Sequence, residues 1–409
     1  MSKQLKPLFD SDLSRREFIR TSMMASSAFL MGCFGTGDPP IDEPMLPQCT
    51  PMFEGPNAQF IKVMGFDNDG TLPFGETYGE GLTGRQLFDL KQLGEENLVT
   101  PNELFYVRTM YPGLLDPATP WNIRIHGLVE SELNLSMADL DPLVVDQGVK
   151  LLECSGNTEG GSFGLLSAAQ WSGVPFADIL AMVDPLPGAT RVLVSGFDEH
   201  TGNSSGSVPG AAWIFTIDQL LNAGSFFATV MNDEALPPNH GQPVRLFNPG
   251  WYGCSCIKWV NEIIFVDEDE AATSQMREFS FRTHQNGTPD LARDYIPAVI
   301  DTAAMPIRIE QWQVDGRITY RVMGMIWGGD ELEPTLEIKF ESDEDDSGWH
   351  NVEYCPPREH AQTWGLWWYA WKPTNPGTYA VNCRVNSNDI RTRRLDSGWY
   401  TRTIDVRAV

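Results

Sequence analysis

The residue whose setting offers most chemistry is Cys154, in the run Leu151-Leu152-Glu153-Cys154-Ser155-Gly156-Asn157. An apolar, strand-like stretch, 149–152, delivers this cysteine onto a turn of small residues. Ser155, Gly156 and Asn157 let a bulky ligand approach the backbone closely. A thiolate held there can act as a nucleophile or as a soft metal ligand. The plain alternative is a buried cysteine that serves as a small apolar core residue. Six cysteines follow Cys33, namely Cys49, Cys154, Cys254, Cys256, Cys355 and Cys383. Cys355 and Cys383 share the C-terminal β-rich region and could pair, although sequence does not establish it. No Cys-x-x-Cys-His occurs, so no covalently attached haem is expected on this chain. A glycine-rich phosphate loop in a βαβ setting is also missing, which speaks against a nicotinamide cofactor.

Further words surround that cysteine. Glu153-Cys154-Ser155-Gly156-Asn157, followed by Ser167-Ala168-Ala169-Gln170-Trp171-Ser172-Gly173-Val174-Pro175, resembles the molybdenum-binding segment of the sulfite oxidase family. Pro101-Asn102-Glu103-Leu104-Phe105-Tyr106-Val107-Arg108 resembles the segment with the family's substrate-site arginine. Residues 236–245, 249–253 and Ile257-Lys258-Trp259 resemble its pterin-binding stretches, and the likeness runs in order from about residue 87 onward.

The resemblance implies one Mo-molybdopterin per chain, with the Cys154 sulfur as metal ligand and molybdenum suited to two-electron oxo transfer. It places Arg108 at the substrate face, where a planar guanidinium can grip an oxyanion in bidentate fashion. Thr109 and Met110 would touch the cofactor through their backbone. Asp198, His240, Arg245, Cys256, Ile257 and Lys258 complete the implied cofactor set, with His240, Arg245 and Lys258 neutralising the pterin phosphate. The family also implies a homodimer through its C-terminal module.

The chain departs from the family pattern at three places. A second arginine is expected shortly after the cysteine turn, where this chain has Thr158 and Glu159. The family's Asn-His after its first arginine is Thr109-Met110 here, and its active-site tyrosine would fall near Phe279 or Phe281. These changes point away from simple sulfite oxidation and toward the wider family, which includes sulfane dehydrogenase subunits and sulfoxide reductases.

The elements that must position these residues are short. The spacing of Leu87, Leu90 and Leu93 predicts an amphipathic helix within 84–94. Strands are expected at 104–107, 121–128, 191–195, 226–231, 244–247 and 258–266, and helices at 136–140, 175–182 and 217–222. Such a mixture indicates an α+β domain, a sulfite-oxidase-like molybdopterin-binding unit over 85–275. A polar connection, 275–306, leads to strands at 307–314, 317–326, 335–340, 364–371, 378–385 and 399–406. Their turn signals predict an all-β, immunoglobulin-like sandwich over 300–409. Trp364, Trp367, Trp368 and Trp371 read as core on one face and interface on the other. Residues 34–56 read as a tether, and 57–84, rich in glycine, yields no assignment.

The chain of 409 residues is long enough for two domains. A formal charge of −26 argues against nucleic acid and anionic membranes. It fits either solubility in a saline habitat or the steering of a basic partner such as a small cytochrome. Ser14-Arg15-Arg16-Glu17-Phe18-Ile19-Arg20 before an apolar stretch reads as a twin-arginine export signal over 1–33. Leu30-Met31-Gly32-Cys33 also reads as a lipoprotein box, with Cys33 the lipidated residue, or as the end of an ordinary signal. The combined expectation is a periplasmic molybdenum oxidoreductase. It acts on a small sulfur compound and passes electrons to a separate carrier, such as a c-type cytochrome. The alternatives are a sulfoxide reductase, or a non-catalytic binding or assembly protein on the same fold.

Overall fold

A five-stranded antiparallel sheet carries the cysteine. Its order is Glu234–Ala235, Phe226–Met231, Leu166–Pro175, Val145–Glu153, with Arg245–Phe247 added to Phe226–Met231. Strand Leu166–Pro175 is buried along nearly its whole length, because layers cover both its faces. A second sheet runs Ala212–Thr216, Arg191–Gly196, Val260–Val266, Asn122–Gly127, Leu133–Ser136. There Ile123 and Ile125 alternate inward against solvent-facing neighbours, as the period of two requires. The structure, a computed structural model, describes residues 49, 51–66, 72–116, 119–158, 160, 162–198, 210–280, 285–344, 346–386 and 401–407. The signal segment, Cys33, Glu159 and Phe281 lie outside them.

Helices are few and locally determined. Met137–Leu140 starts where the Asp139 carboxylate accepts from the Ser136 amide at 2.8 Å. Ile217–Asn222 starts where the Thr216 hydroxyl accepts from the Gln219 amide at 3.0 Å and the Gln219 side chain answers at 2.9 Å. Both are capping boxes, readable from four residues each. Phe176–Ala181 and Ser274–Glu278 complete the helices that bear on the site. The fold is mixed, rich in strands and poor in helices.

The 84–94 helix does not form. Arg85–Gln86 pairs instead with Val107–Arg108, and Leu90–Gln92 makes a single 3-10 turn. Leu87, Leu90 and Leu93 are nevertheless all buried. Their spacing reported burial correctly, but eleven residues bounded by glycine gain more from strand pairing than from one marginal helix. The expected 104–107 strand shrinks to Val107–Arg108, because the Leu104 and Phe105 amides turn back to the Pro101 carbonyl.

Two further sheets form the C-terminal region. One has the order Ala58–Met64, Ala303–Val314, Arg317–Trp327, Gly365–Trp371, Glu353–Tyr354; the other His350–Asn351, Leu336–Glu341, Gly377–Val385, Arg402–Val406. Ile309, Tyr320, Val322, Trp367 and Trp371 of the first share a core with Leu336, Ile338, Phe340, Tyr379 and Val381 of the second. The expected tether ends earlier than 56. Phe53 is buried against Trp312 and Trp368, and Ala58–Met64 becomes an edge strand of the sandwich. The disulfide joins Cys49 to Cys355, and Cys383 takes no part in it. Cys383 sits opposite Ile338 in the four-stranded sheet, whereas Cys355 follows Glu353–Tyr354, a strand of the other sheet.

All four tryptophans of 364–371 are buried within the chain. Trp367 and Trp371 face the second sheet, while Trp364 and Trp368 belong to the core that also contains Ile123, Phe176 and Phe265. The interface face of this strand is therefore an internal one, against the cysteine-bearing region. Residues from Cys49 onward form one compact unit.

Candidate active site

Cys154 stands where strand Val145–Glu153 ends. Its amide donates to Leu165 O at 3.0 Å, and its carbonyl accepts from the Asn157 amide at 2.9 Å. Asn157 locks the loop from within: its Oδ1 accepts from the Leu165 amide at 3.0 Å, and its Nδ2 donates to Glu153 Oε1 at 3.3 Å. The Gly156 amide donates to the Cys154 sulfur at 3.3 Å, an arrangement that favours negative charge on sulfur. The thiol is 7% exposed and lines two cavities.

Those cavities meet at Arg108, Cys154 and Phe279. The smaller, about 100 Å³, is lined by Arg108, Thr109, Cys154, Asp198, His240, Arg245, Cys256, Ile257 and Lys258. Five separate chain segments thus bring nine of the sequence-derived candidates to one place. Met110 stands apart: its side chain lies over Gly84, where an added Cβ would come within 2.1 Å of Met110 Cγ. The larger cavity, about 460 Å³, lies on the other side of the sulfur and includes Tyr78, Arg85, Asn157, Thr158 and Glu278.

The cationic groups hold the walls. Arg245 is buried, with Nη1 on the His240 carbonyl (3.1 Å) and Nη2 on the Cys256 carbonyl (3.1 Å), while its buried Nε has no hydrogen-bond partner. Lys258 Nζ donates to the carbonyls of Arg108 (3.1 Å), Thr109 and Asn239 (2.9 Å), tying three segments together. Thr109 has φ of 68°, a left-handed conformation that a β-branched residue adopts at a cost of about 1–3 kcal/mol. The lysine clamp on its carbonyl is one contact that holds it there.

Burial, with the neighbouring Arg245 cation, pulls Lys258 well below its ordinary value. Burial first, then the Lys258 and Arg245 charges, push His240 down to about 3, so its imidazole is neutral at ordinary pH. Its ring packs edge-on against Phe105 at 5.2 Å. Burial also lowers Arg108, opposed by the Cys154 sulfur that favours its charge. The Cys254 and Cys256 thiols are both pushed up by burial.

Tyr106 and Arg85 are the residues that the motif reading missed. Tyr106 lines the smaller cavity, and its phenol is raised well above its ordinary value by burial and by the Cys154 charge. Its hydroxyl and the Cys154 Cα lie 3.0 and 3.7 Å from where a side chain on Gly253 would begin. Tyr106 is two residues before Arg108, hence on the same face of an extended segment, and that period was the available signal. At the positions where the family tyrosine was sought, Phe279 lines both cavities. Nothing local marks Arg85, which reaches the site through strand pairing.

Residues 110–274 match the oxidoreductase molybdopterin-binding domain. The chain is 35% identical over 206 residues to the NADPH nitrate reductase of Aspergillus niger, covering 46% of this chain and 23% of that protein. It is 28% identical over 299 residues to mitochondrial sulfite oxidase of Drosophila melanogaster, covering 66% and 50% respectively. The fold matches the sulfane dehydrogenase SoxCD from Paracoccus pantotrophus with a TM-score of 0.60 at 15% identity, over 92% of this chain and 96% of that one. The matched part thus spans under a quarter of the nitrate reductase and half of the sulfite oxidase. Fold and site agree with the molybdopterin-binding oxidoreductase domain that residues 110–274 match. More particularly, the chain is similar to sulfite oxidases in sequence and to a sulfane dehydrogenase in fold.

The residues present fit that cofactor. Among the described residues no three His, Cys, Asp or Glu side chains gather to hold a bare metal ion. One thiolate supplies a fraction of the three or four ligands that a soft metal takes. A metal at Cys154 would therefore bring further ligands of its own, a role that a pterin dithiolene fits. The unpartnered Arg245 Nε and the neutral His240 offer donors to a polar ring system in the smaller cavity.

Proposed function

We propose that this protein is an exported mononuclear molybdenum oxidoreductase that transfers an oxygen atom to or from a small sulfur compound. The observation that carries the reading is the position of the Cys154 sulfur at the wall common to two cavities, with Arg108 lining both. One cavity suits the pterin side, the other a small substrate. When bound, the molybdenum–pterin group supplies two-electron oxo chemistry. Cys154 anchors it, Arg108 holds an oxyanion in place, and Tyr106, protonated at Oη, offers a hydrogen bond near the sulfur. Phe279, on the wall of both cavities, limits water.

Sulfur chemistry is favoured because the sulfite oxidase match extends over 66% of the chain, against 46% for the nitrate reductase. Nitrate reduction is the second reading, favoured by the higher identity of that shorter segment. Export through the twin-arginine route is supported by the Cys49–Cys355 disulfide, which belongs to an oxidising compartment. The acidic surface suits a basic electron carrier such as a c-type cytochrome. A homodimer through an immunoglobulin-like sandwich is supported by Phe60, Ile61 and Val63, exposed on its edge strand.

The test uses protein exported with its own signal. Elemental analysis is expected to find one molybdenum per chain, and turnover is expected with sulfite, thiosulfate or protein-bound sulfane. Turnover with nitrate alone would move the reading to nitrate reduction, and with methionine sulfoxide alone to a sulfoxide reductase. A fully folded chain without molybdenum or pterin would leave a binding or assembly protein.

A further inference from the structure

Arg85 and Arg108 are direct cross-strand partners in the three-stranded sheet Thr77–Tyr78, Arg85–Gln86, Val107–Arg108. Residues paired in this way project from the same face. Both line the cavity of about 460 Å³ that Cys154, Gly156, Asn157 and Thr158 complete. The Arg85 charge is strong enough at Arg108 to depress its ionisation further. Like charges directly opposite on neighbouring strands destabilise a sheet, and a protein ordinarily separates or neutralises them. Here Arg108 gives Nη1 to the Leu82 carbonyl and the Thr109 hydroxyl, and Arg85 Nε is buried with no hydrogen-bond partner. The one described carboxylate lining this cavity is Glu278, which favours the Arg108 charge and leaves the trio with net positive charge.

We propose that Arg85 is a substrate-positioning residue, the second arm of an anion clamp with Arg108, and that the clamp selects a small, doubly charged sulfur oxyanion over a neutral sulfoxide. Two guanidinium forks on one face present parallel N–H donors, the geometry that tetrahedral oxyanions accept. A neutral sulfoxide has one acceptor oxygen and cannot offset two adjacent, partly buried cations. The clamp supplies from an earlier strand the charge that Thr158 does not. The inference rests on the reading of Cys154 as the metal anchor.

Two measurements separate the clamp from that reading. Molybdenum content and thermal stability are determined for the holoenzyme and for Arg85→Gln and Arg85→Lys. Sulfate binding is then followed by titration calorimetry, and KM and kcat for sulfite and thiosulfate are measured. For Arg85→Gln at unchanged molybdenum content we expect sulfate affinity to fall about tenfold or more, the loss of one charged hydrogen-bonding partner. KM should rise with it while kcat changes less. Arg85→Lys, which keeps the charge but not the fork, should lie between, and it carries the test if Arg85→Gln does not fold. Wild-type sulfate affinity in a molybdenum-replete Arg85→Gln, or in Arg85→Lys if only that variant folds, would overturn the clamp and leave the oxidoreductase standing. A wild-type chain without molybdenum would remove the anchor reading first. Sulfate binding to that chain which ignores both arginines would remove the clamp as well.

Discussion

The indole nitrogen of Trp327 donates to Glu153 Oε2 at 2.9 Å, across 174 positions of sequence. Glu153 immediately precedes Cys154, and its other oxygen accepts from Asn157 in the cysteine loop. The carboxylate is fully buried, so the sandwich reaches the reactive sulfur through a single hydrogen-bonded side chain. Trp327→Phe keeps an aromatic side chain at this fully buried position, removes that donor and leaves a small cavity. We expect a loss of about 1–3 kcal/mol, the cost of depriving a buried group of a partner, in chemical denaturation. Molybdenum occupancy should fall with it, because the Cys154 loop loses one restraint.

Cys154→Ser tests the anchor. A hydroxyl is nearly isosteric but a poor soft-metal ligand, so turnover should vanish while circular dichroism and melting stay close to wild type. Retained full activity would refute the assignment.

Tyr106→Phe removes a hydroxyl beside the sulfur and little else, since the ring stays stacked on Phe105. If that hydroxyl moves or shares a proton in the reaction, kcat should drop by about 10²-fold, the low end of what such groups contribute. Because burial raises this phenol, the wild-type rate should show no loss from its ionisation up to about pH 10. Unchanged kcat would make Tyr106 a packing residue.

His240 governs acid stability. Its folded value, about 3, lies below the ordinary 6.5, so between those limits the unfolded chain binds more protons than the native one. The contribution of the neutral ring is fully present above pH 6.5 and is lost as pH falls toward 3. The loss should amount to a few kcal/mol. Melting temperature against pH should therefore fall more steeply for wild type than for His240→Gln in that window; equal slopes would contradict it.

Peptide mapping should find Cys49 joined to Cys355 and Cys383 alkylated. Reduction, or Cys355→Ser, should cost about 2–5 kcal/mol by releasing the constraint on a long loop. Cys383→Ser should be close to neutral. An equal cost for Cys383→Ser, with Cys49 alkylated in the map, would instead support the Cys355–Cys383 pairing that sequence left open.

Much of the molecule was legible from local runs of residues. The Cys154 turn, the cap-like start at Ser136, the alternation of Ile123 and Ile125, and most C-terminal strands depend on neighbours within four positions. Such features survive in sequence because hydrogen bonds and side-chain period act over that range. The 84–94 segment shows the limit. Its leucine spacing satisfied a helix as well as a buried turn, and the partner strand at Val107–Arg108 decided between them.

Sequence by itself determined that a lone cysteine sits on a tight turn, that cationic and aromatic groups recur in a known order, and that a β-rich region follows. Tertiary structure decided that Ala58–Met64 completes the sandwich, that Cys49 takes Cys355, and that Tyr106 and Arg85 flank the sulfur. Those outcomes turn on pairings between strands far apart in the chain. Their free energy comes from the register and burial of both partners at once, which neither segment carries alone.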